Sequence, residues 1–344
     1  MRTIDRMGRM SVALLASAAT AASVQAAPSP FRQALQQRSA AEAFGARRLP
    51  ALARQAGSDA AAVGQGLVRA LQFQGLRVAI GVPEQQEGPR GLWLEAPGWT
   101  MKVSRDGSAV QFRTTPPGPI ATRPAAGKPA DAEIEAAGRS FVRTALARSI
   151  TLAKNEELVF LGTRFNYRGG QAADAAAPEA AALAGWAAVF GRTIDGELVV
   201  GGGSIVAVLF DAEGTVEGFD FDWPRYQAVG APLDTLDVAA IRRRAAALAS
   251  PPRADESRSE RRFECGYFDP GGRSARRALA LVQPACVSAV VASHGFGPGN
   301  QTQAGILTAV PAARVPVVDP KWPEAATLCA GRADACRVLP IAAK

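Results

Sequence analysis

The chain has 344 residues and a net charge of +8, with 48% hydrophobic and only 6% aromatic residues, which is enough length for two or three ordinary domains. Its basic residues are dispersed, with short clusters only at Arg242-Arg243-Arg244 and within 258–262, and no recognition module accompanies them, so nucleic acid is set aside as a partner. A single histidine, His294, removes most His-based metal sites and makes any Ser-His or Cys-His mechanism hang on one residue.

The first 26 residues read as a secretory signal peptide. Arg2, Arg6 and Arg9 precede an apolar, Ala-rich run over 10–24, and Val24-Gln25-Ala26 supplies a cleavage site. The apolar run is short for a bilayer span, which disfavours the rival reading of a retained anchor. Removing it lowers the net charge to +6. The expected location is therefore exported, either periplasmic or extracellular, with no stable membrane span after cleavage.

Residues 27–115 are expected to form an N-terminal α+β region. Residues 31–48 look helical. Asp59 caps a second helix reaching about residue 73, with Val63, Leu67 and Leu71 on one side. Strands follow over 91–96, 100–104 and 109–114, with Asp106-Gly107 at a hairpin turn. The Pro/Gly-rich stretch 116–129 cannot continue a helix or central strand and reads as a linker.

A second region, 130–228, opens with a helix whose expected N-cap is Asp131 and which presents Ile134, Gly138, Phe141, Ala145 and Leu146 on one side. Residues 158–167 switch to a period of two, with Val159, Leu161, Thr163, Phe165 and Tyr167 on one face and Arg164 and Arg168 on the other. Residues 169–185 read as an Ala-rich insert. Strands then run over 186–193, 197–200, 204–210 and 215–223. Asp195-Gly196 is the strongest hairpin signal in the chain, and Gly201-Gly202-Gly203 marks a bulge or turn between strands. A phosphate-binding role for those glycines would need a helix after them, and a strand follows instead. On the last strand Phe219, Phe221 and Trp223 share one face and Asp220 and Asp222 the other.

The third region, 229–344, repeats this plan with a helix bearing Val238, Ile241, Ala245 and Leu248, strands over 261–268, 304–310 and 315–318, and an apolar segment over 278–292 interrupted by Pro284. It holds all four cysteines. An even count in an exported chain points to disulfides, most simply Cys265–Cys286 and Cys329–Cys336. A four-Cys zinc site lacks the usual C-x-x-C pairs, and no cofactor or metal is expected. The fold class expected from these patterns is α+β, in tandem modules that each pack a helix on a twisted antiparallel sheet.

Phe190, Arg192, Asp195, Gly196, Val199, Gly203, Asp211 and Gly214 resemble the turn and core pattern of PepSY-like modules of exported bacterial proteins, and Y-F-D-P-G-G with L-V-Q-P-A-C makes the third region similar to a second such module. The resemblance implies an exported setting and a helix-plus-sheet fold. Paired modules of this kind occur in exported proteins that regulate envelope sensor kinases, and single ones in protease propeptides. It carries no catalytic residue across.

Site candidates are few. Asp220 and Asp222 could act as paired carboxylates or hold calcium, but cross-strand ion pairs with Arg164 and Arg168 account for them more simply. His294 falls in an expected loop. Tyr267, Phe268 and Trp322 either line a groove or pack the core. The expected binding surface is Arg164, Arg168, Asp220, Asp222 and Tyr267. The expected function is non-enzymatic: binding or regulating another envelope or secreted protein, such as a sensor domain or protease, through a sheet face or edge. The alternatives are a protease inhibitor or propeptide-like chaperone, and a hydrolase with a site near His294 or Asp220/Asp222.

Overall fold

The structure, a computed structural model, describes residues 47–55, 57–115, 121–169, 181–249, 256–271, 279, 281–295, 301–319, 321–330 and 336–337. The expected signal peptide and residues 31–46 of the first expected helix lie outside these.

Fifteen strands and four short α-helices are present among the described residues. The strands are β1 (Arg48–Arg54), β2 (Glu84–Gly88), β3 (Gly91–Ala96), β4 (Trp99–Ser104), β5 (Ala109–Thr114), β6 (Arg123–Pro124), β7 (Glu156–Arg168), β8 (Ala182–Ile194), β9 (Glu197–Gly201), β10 (Ile205–Asp211), β11 (Val216–Asp222), β12 (Tyr226–Asp234), β13 (Glu256–Asp269), β14 (Leu281–Gly295) and β15 (Gln301–Pro311). The helices are α1 (Ala60–Leu71), α2 (Asp131–Ala145), α3 (Val238–Leu248) and α4 (Pro323–Cys329).

This corrects the expected fold class. The molecule is dominated by one large mixed sheet and is not a row of helix-on-sheet modules. Its hydrogen-bonded path runs β12-β1-β14-β13-β9-β8-β10-β11-β5-β4-β3-β2, with β15 on β14 and β6 and β7 on β8. The pairing of β5 with β11 joins strands from 27–115 to strands from 130–228, Phe112 facing Phe219 and Val110 facing Phe221. β1 goes elsewhere, pairing with β12 and with the start of β14. A meander of short strands reads the same locally whether its last strand is an edge or finds a neighbour from another region, so the pattern of alternation could not reveal this.

The turn chemistry appears where it was read. Asp195 and Gly196 take φ of 52° and 79°, the two positive values that a tight hairpin between β8 and β9 requires. Alternation along β4 buries Trp99, Met101 and Val103, and along β5 Val110 and Phe112. Along β7 the expected face is wrong beyond Leu161. Register shifts at Gly162, where φ is 128°, so Phe160 and Phe165 pack together in one core while Val159 and Leu161 pack in another.

α1 packs over β3 and β4, and α2 over β7, β8 and β10. The expected cap Asp131 is instead the first residue of α2, with Ala130 at the N-cap. Asp59 caps α1, its carboxylate accepting from the Ala62 amide at 3.0 Å. Leu67 and Leu71 of α1 pack with Leu92, Leu94, Trp99 and Met101, and Ile134, Phe141 and Val142 of α2 pack with Phe160, Phe190 and Phe219 in the same core. Gly138 lets α2 approach closely, since a Cβ there would lie 2.6 Å from that of Ala188. The C-terminal strands form a second core with α3, in which Ile241 meets Phe263, Cys265, Tyr267 and Cys286.

Cys265 bonds to Cys286, its direct register partner across β13 and β14, and Cys329 bonds to Cys336. Among the described residues no helix is long and apolar enough to cross a membrane.

Candidate functional site

Two places gather the side chains that could carry function. One is a buried ionic junction where three strand ends meet, and the other is an open groove between α1 and α2.

The junction is built from glycines. Between β9 and β10 the chain runs Gly201-Gly202-Gly203-Ser204 against the turn Asp269-Pro270-Gly271 after β13. A Cβ at Gly203 would sit 2.3 Å from the Asp269 carboxyl carbon, and one at Gly202 would sit 2.6 Å from the Pro270 oxygen. The absence of side chains lets the two segments touch. The Gly203 amide then donates to the Asp269 backbone oxygen at 2.9 Å, and the Gly271 amide to the Asp269 carboxylate at 2.8 Å.

Asp269 is fully buried, and its other partners come from distant chain segments. Arg54, at the end of β1, donates through Nε to Asp269 at 3.0 Å and through Nη2 to Asp222 at 3.2 Å. The Tyr226 hydroxyl also donates to Asp269, and it lies 3.1 Å from Ser204 Oγ. Burial opposes the charge on Arg54, but Asp269 and Asp222 more than offset it and hold its pKa above the ordinary guanidinium value. Burial, then the Asp269 charge, pushes the Tyr226 phenol well above its usual range.

A second arginine lies alongside. Arg192 of β8 is 1% exposed and stacks on Trp223 at 4.0 Å and on Tyr226 at 5.1 Å. Its Nη1 donates to Glu156 at 3.3 Å and to the Pro224 oxygen at 2.9 Å. Burial is the largest influence on it and lowers its pKa, which the Glu156 charge partly offsets. Each of these charges meets an opposite charge within the protein. Chemically the junction fastens β1, β11, β13 and the β9–β10 link together, while Arg192 keeps its buried Nε and Nη2 without a hydrogen-bond partner.

The expected surface residues divide. Arg164 and Arg168 are exposed on β7. Asp220 pairs with Arg113 of β5, and Asp222 with Arg54. The expected pairing of both acids with Arg164 and Arg168 is therefore corrected, because β8 and β10 separate β7 from β11. Asp222 and Tyr267 are buried and present no surface; burial also raises the pKa of the Tyr267 phenol, with the nearby Asp195 and Glu197 charges adding to the rise. Phe268 and Trp322 pack against each other in a core, tilted by 46° with centroids 5.1 Å apart, so they line no groove. His294 lies within β14, register partner of Glu256 and Thr302, and not in a loop. It is about 35 Å along that strand from Gln283, which faces Phe268 beside Asp269. Among the described residues no three His, Cys, Asp or Glu side chains gather into a metal-holding group.

The groove was not foreseen. It has a volume of about 550 Å³ and lies between α1, whose Val63 and Leu67 are in its lining, and the C-terminal end of α2 with residues 147–149. Ala62, Gly66 and Ala70 contribute one wall, and Ala145 and Ala147 are on the other. Phe73 stands at one end, 84% exposed. The Thr144 hydroxyl donates to Gln74 Oε1 at 3.1 Å and ties the helices together near that end. Arg69 and Arg148, both exposed, are its charged lining residues. The sequence signal that could have found it is the spacing of Ala62, Gly66 and Ala70, small residues four apart on α1 that flank the stripe of Val63 and Leu67.

No protein-family model matches the chain, and no curated protein matches it. Among solved structures it is similar to an uncharacterized protein from Eubacterium rectale, which it matches over 80% of this chain and 86% of that one, with 10% sequence identity and a TM-score of 0.45.

Proposed function

We propose that this protein is an exported, non-catalytic binding protein that acts on another envelope or secreted protein, and that it engages that partner through the α1–α2 groove. The observation that carries the reading is the groove itself: an open cleft of about 550 Å³ whose lining combines alanines and Gly66 with Val63, Leu67 and two arginines, with a phenylalanine left 84% exposed at its end. A Phe this exposed contributes little to the isolated fold, since fully burying such a side chain contributes roughly 1.5–3 kcal/mol. The signal-like N-terminal sequence and the two disulfides support an exported setting. The interior acids support a structural role for the junction, because each is held by arginine, tyrosine or backbone donors.

The test replaces Phe73 with a benzophenone-bearing residue and irradiates the protein in its native envelope fraction. One discrete crosslinked protein is expected from position 73 and none from Gln86 on the exposed strand β2. An absence of crosslinks at position 73, or the same species from both positions, overturns the assignment.

A further inference from the structure

We infer that the partner presents to this groove an amphipathic helix with acidic residues flanking its apolar face. The inference rests on the binding function proposed above and adds the chemistry of the occupant.

Shape comes first. From Ala62 to Phe73 the groove wall extends about 16 Å, or three helical turns. Small residues recur along it at four-residue spacing, which allows a second helix to approach closely while its larger side chains drop between them. A Cβ added at Gly66 meets no atom within 4 Å, so the space above the middle of the wall is open. A helix laid along such a cleft buries side chains at positions i, i+3 or i+4, and i+7. The exposed ring of Phe73 then covers the end of the occupant's apolar stripe.

Charge selects among occupants of that shape. The lining includes Arg69 and Arg148 and no acidic residue, within a chain of net charge +8. Carboxylates on the flanks of an incoming helix would meet both guanidiniums. A second copy of this chain would bring the same two arginines to the interface, since a two-fold contact places like surface against like. The chain's own residues 31–46 carry Arg32 and Arg38 against one acid, Glu42, and have the wrong sign. A fatty carboxylate carries one charge and would match only one of the two arginines, and it is an outcome of the test.

The experiment titrates the protein with two fluorescent 16-residue peptides, identical in their leucine positions, one carrying Glu and the other Lys on the flanks. The Glu peptide is expected to bind at least ten-fold more tightly. Gly66→Leu, which fills open space, is expected to weaken it ten-fold or more, and the double variant R69E/R148E to reverse the charge preference. Thermal melts establish that the variants are folded, and Gln86→Ala, on the exposed strand β2 outside the groove, serves as the near-native control. Equal affinity for the two peptides overturns the inference, as does binding unchanged by Gly66→Leu or palmitate binding with no peptide binding. If crosslinks form at position 73 but the peptides show no charge preference, the binding function stands and the acidic helix falls. If crosslinking also fails, both fall.

Discussion

Arg54 shows how much one side chain can settle. It reaches Asp222 and Asp269, 168 and 215 residues away in the sequence, and its side chain is only 10% exposed. Removing one partner of a buried ionic group leaves the others uncompensated, at a cost of roughly 3–5 kcal/mol. Arg54→Met is expected to lower the free energy of unfolding by about that amount in urea titration, with Arg54→Lys between it and the native protein because one ammonium cannot reach both carboxylates. Tyr226 makes a second prediction. Its phenol stays neutral in the folded state at a pH where an unfolded tyrosine, with a pKa of about 10, ionises. The unfolded chain then binds fewer protons than the folded one, so this contribution is complete below about pH 10 and is lost as pH rises toward the folded pKa. Stability measured from pH 8 to 11 should fall, and Tyr226→Phe should flatten that fall; an unchanged slope would remove Tyr226 as its cause.

Among the elements, the link between β9 and β10 was the most readable and the least understood. Its three glycines announce a break in the ladder, and the structure gives the reason: they admit the Asp269–Gly271 turn to van der Waals contact. Two glycine substitutions should therefore diverge. Gly203→Ala forces a methyl group against the Asp269 carboxyl and is expected to destabilise the fold by more than about 2 kcal/mol, as overpacking beside a buried charge does. Gly66→Ala, on a helix facing open space, is expected to stabilise it by about 0.5–1 kcal/mol. Denaturant midpoints of the two variants check both. The helices were legible because their periodicity is local: Asp59 as cap, Leu67 and Leu71 inward, Ile134 and Phe141 inward. β12 was missed because Pro224 reads as a stop, whereas the chain resumes a strand at Tyr226 to pair with β1. β7 was misread at its bulge, since a single extra residue inverts every side chain beyond it.

For the molecule as a whole, the expected tandem modules gave way to a sheet that draws strands from every region. β1, from the N-terminal region, pairs with β12 and β14; β5 pairs with β11; and β9 runs parallel to β13, Tyr267 facing Val199. The ionic junction lies where these long-range pairings converge. It was invisible as a site because Arg54, Asp222 and Asp269 sit in three separate local patterns, each ordinary by itself. The α1–α2 groove has the same origin. Each helix shows its buried face in its own periodicity, but the cleft depends on how far apart the sheet sets the two helices.

What the sequence determined by itself was short-range: the hairpin at Asp195-Gly196, the alternation of β3 to β5, the inward faces of α1 and α2, and the pairing of four cysteines close in the chain. These follow from backbone preferences and from side-chain periods that a few residues suffice to express. The tertiary structure alone decided which strand edges met, which acid each arginine neutralised and where an apolar cleft stayed open. Backbone edges carry the same donors and acceptors in every strand, so the choice of partner is made by packing across the whole molecule and leaves no local mark.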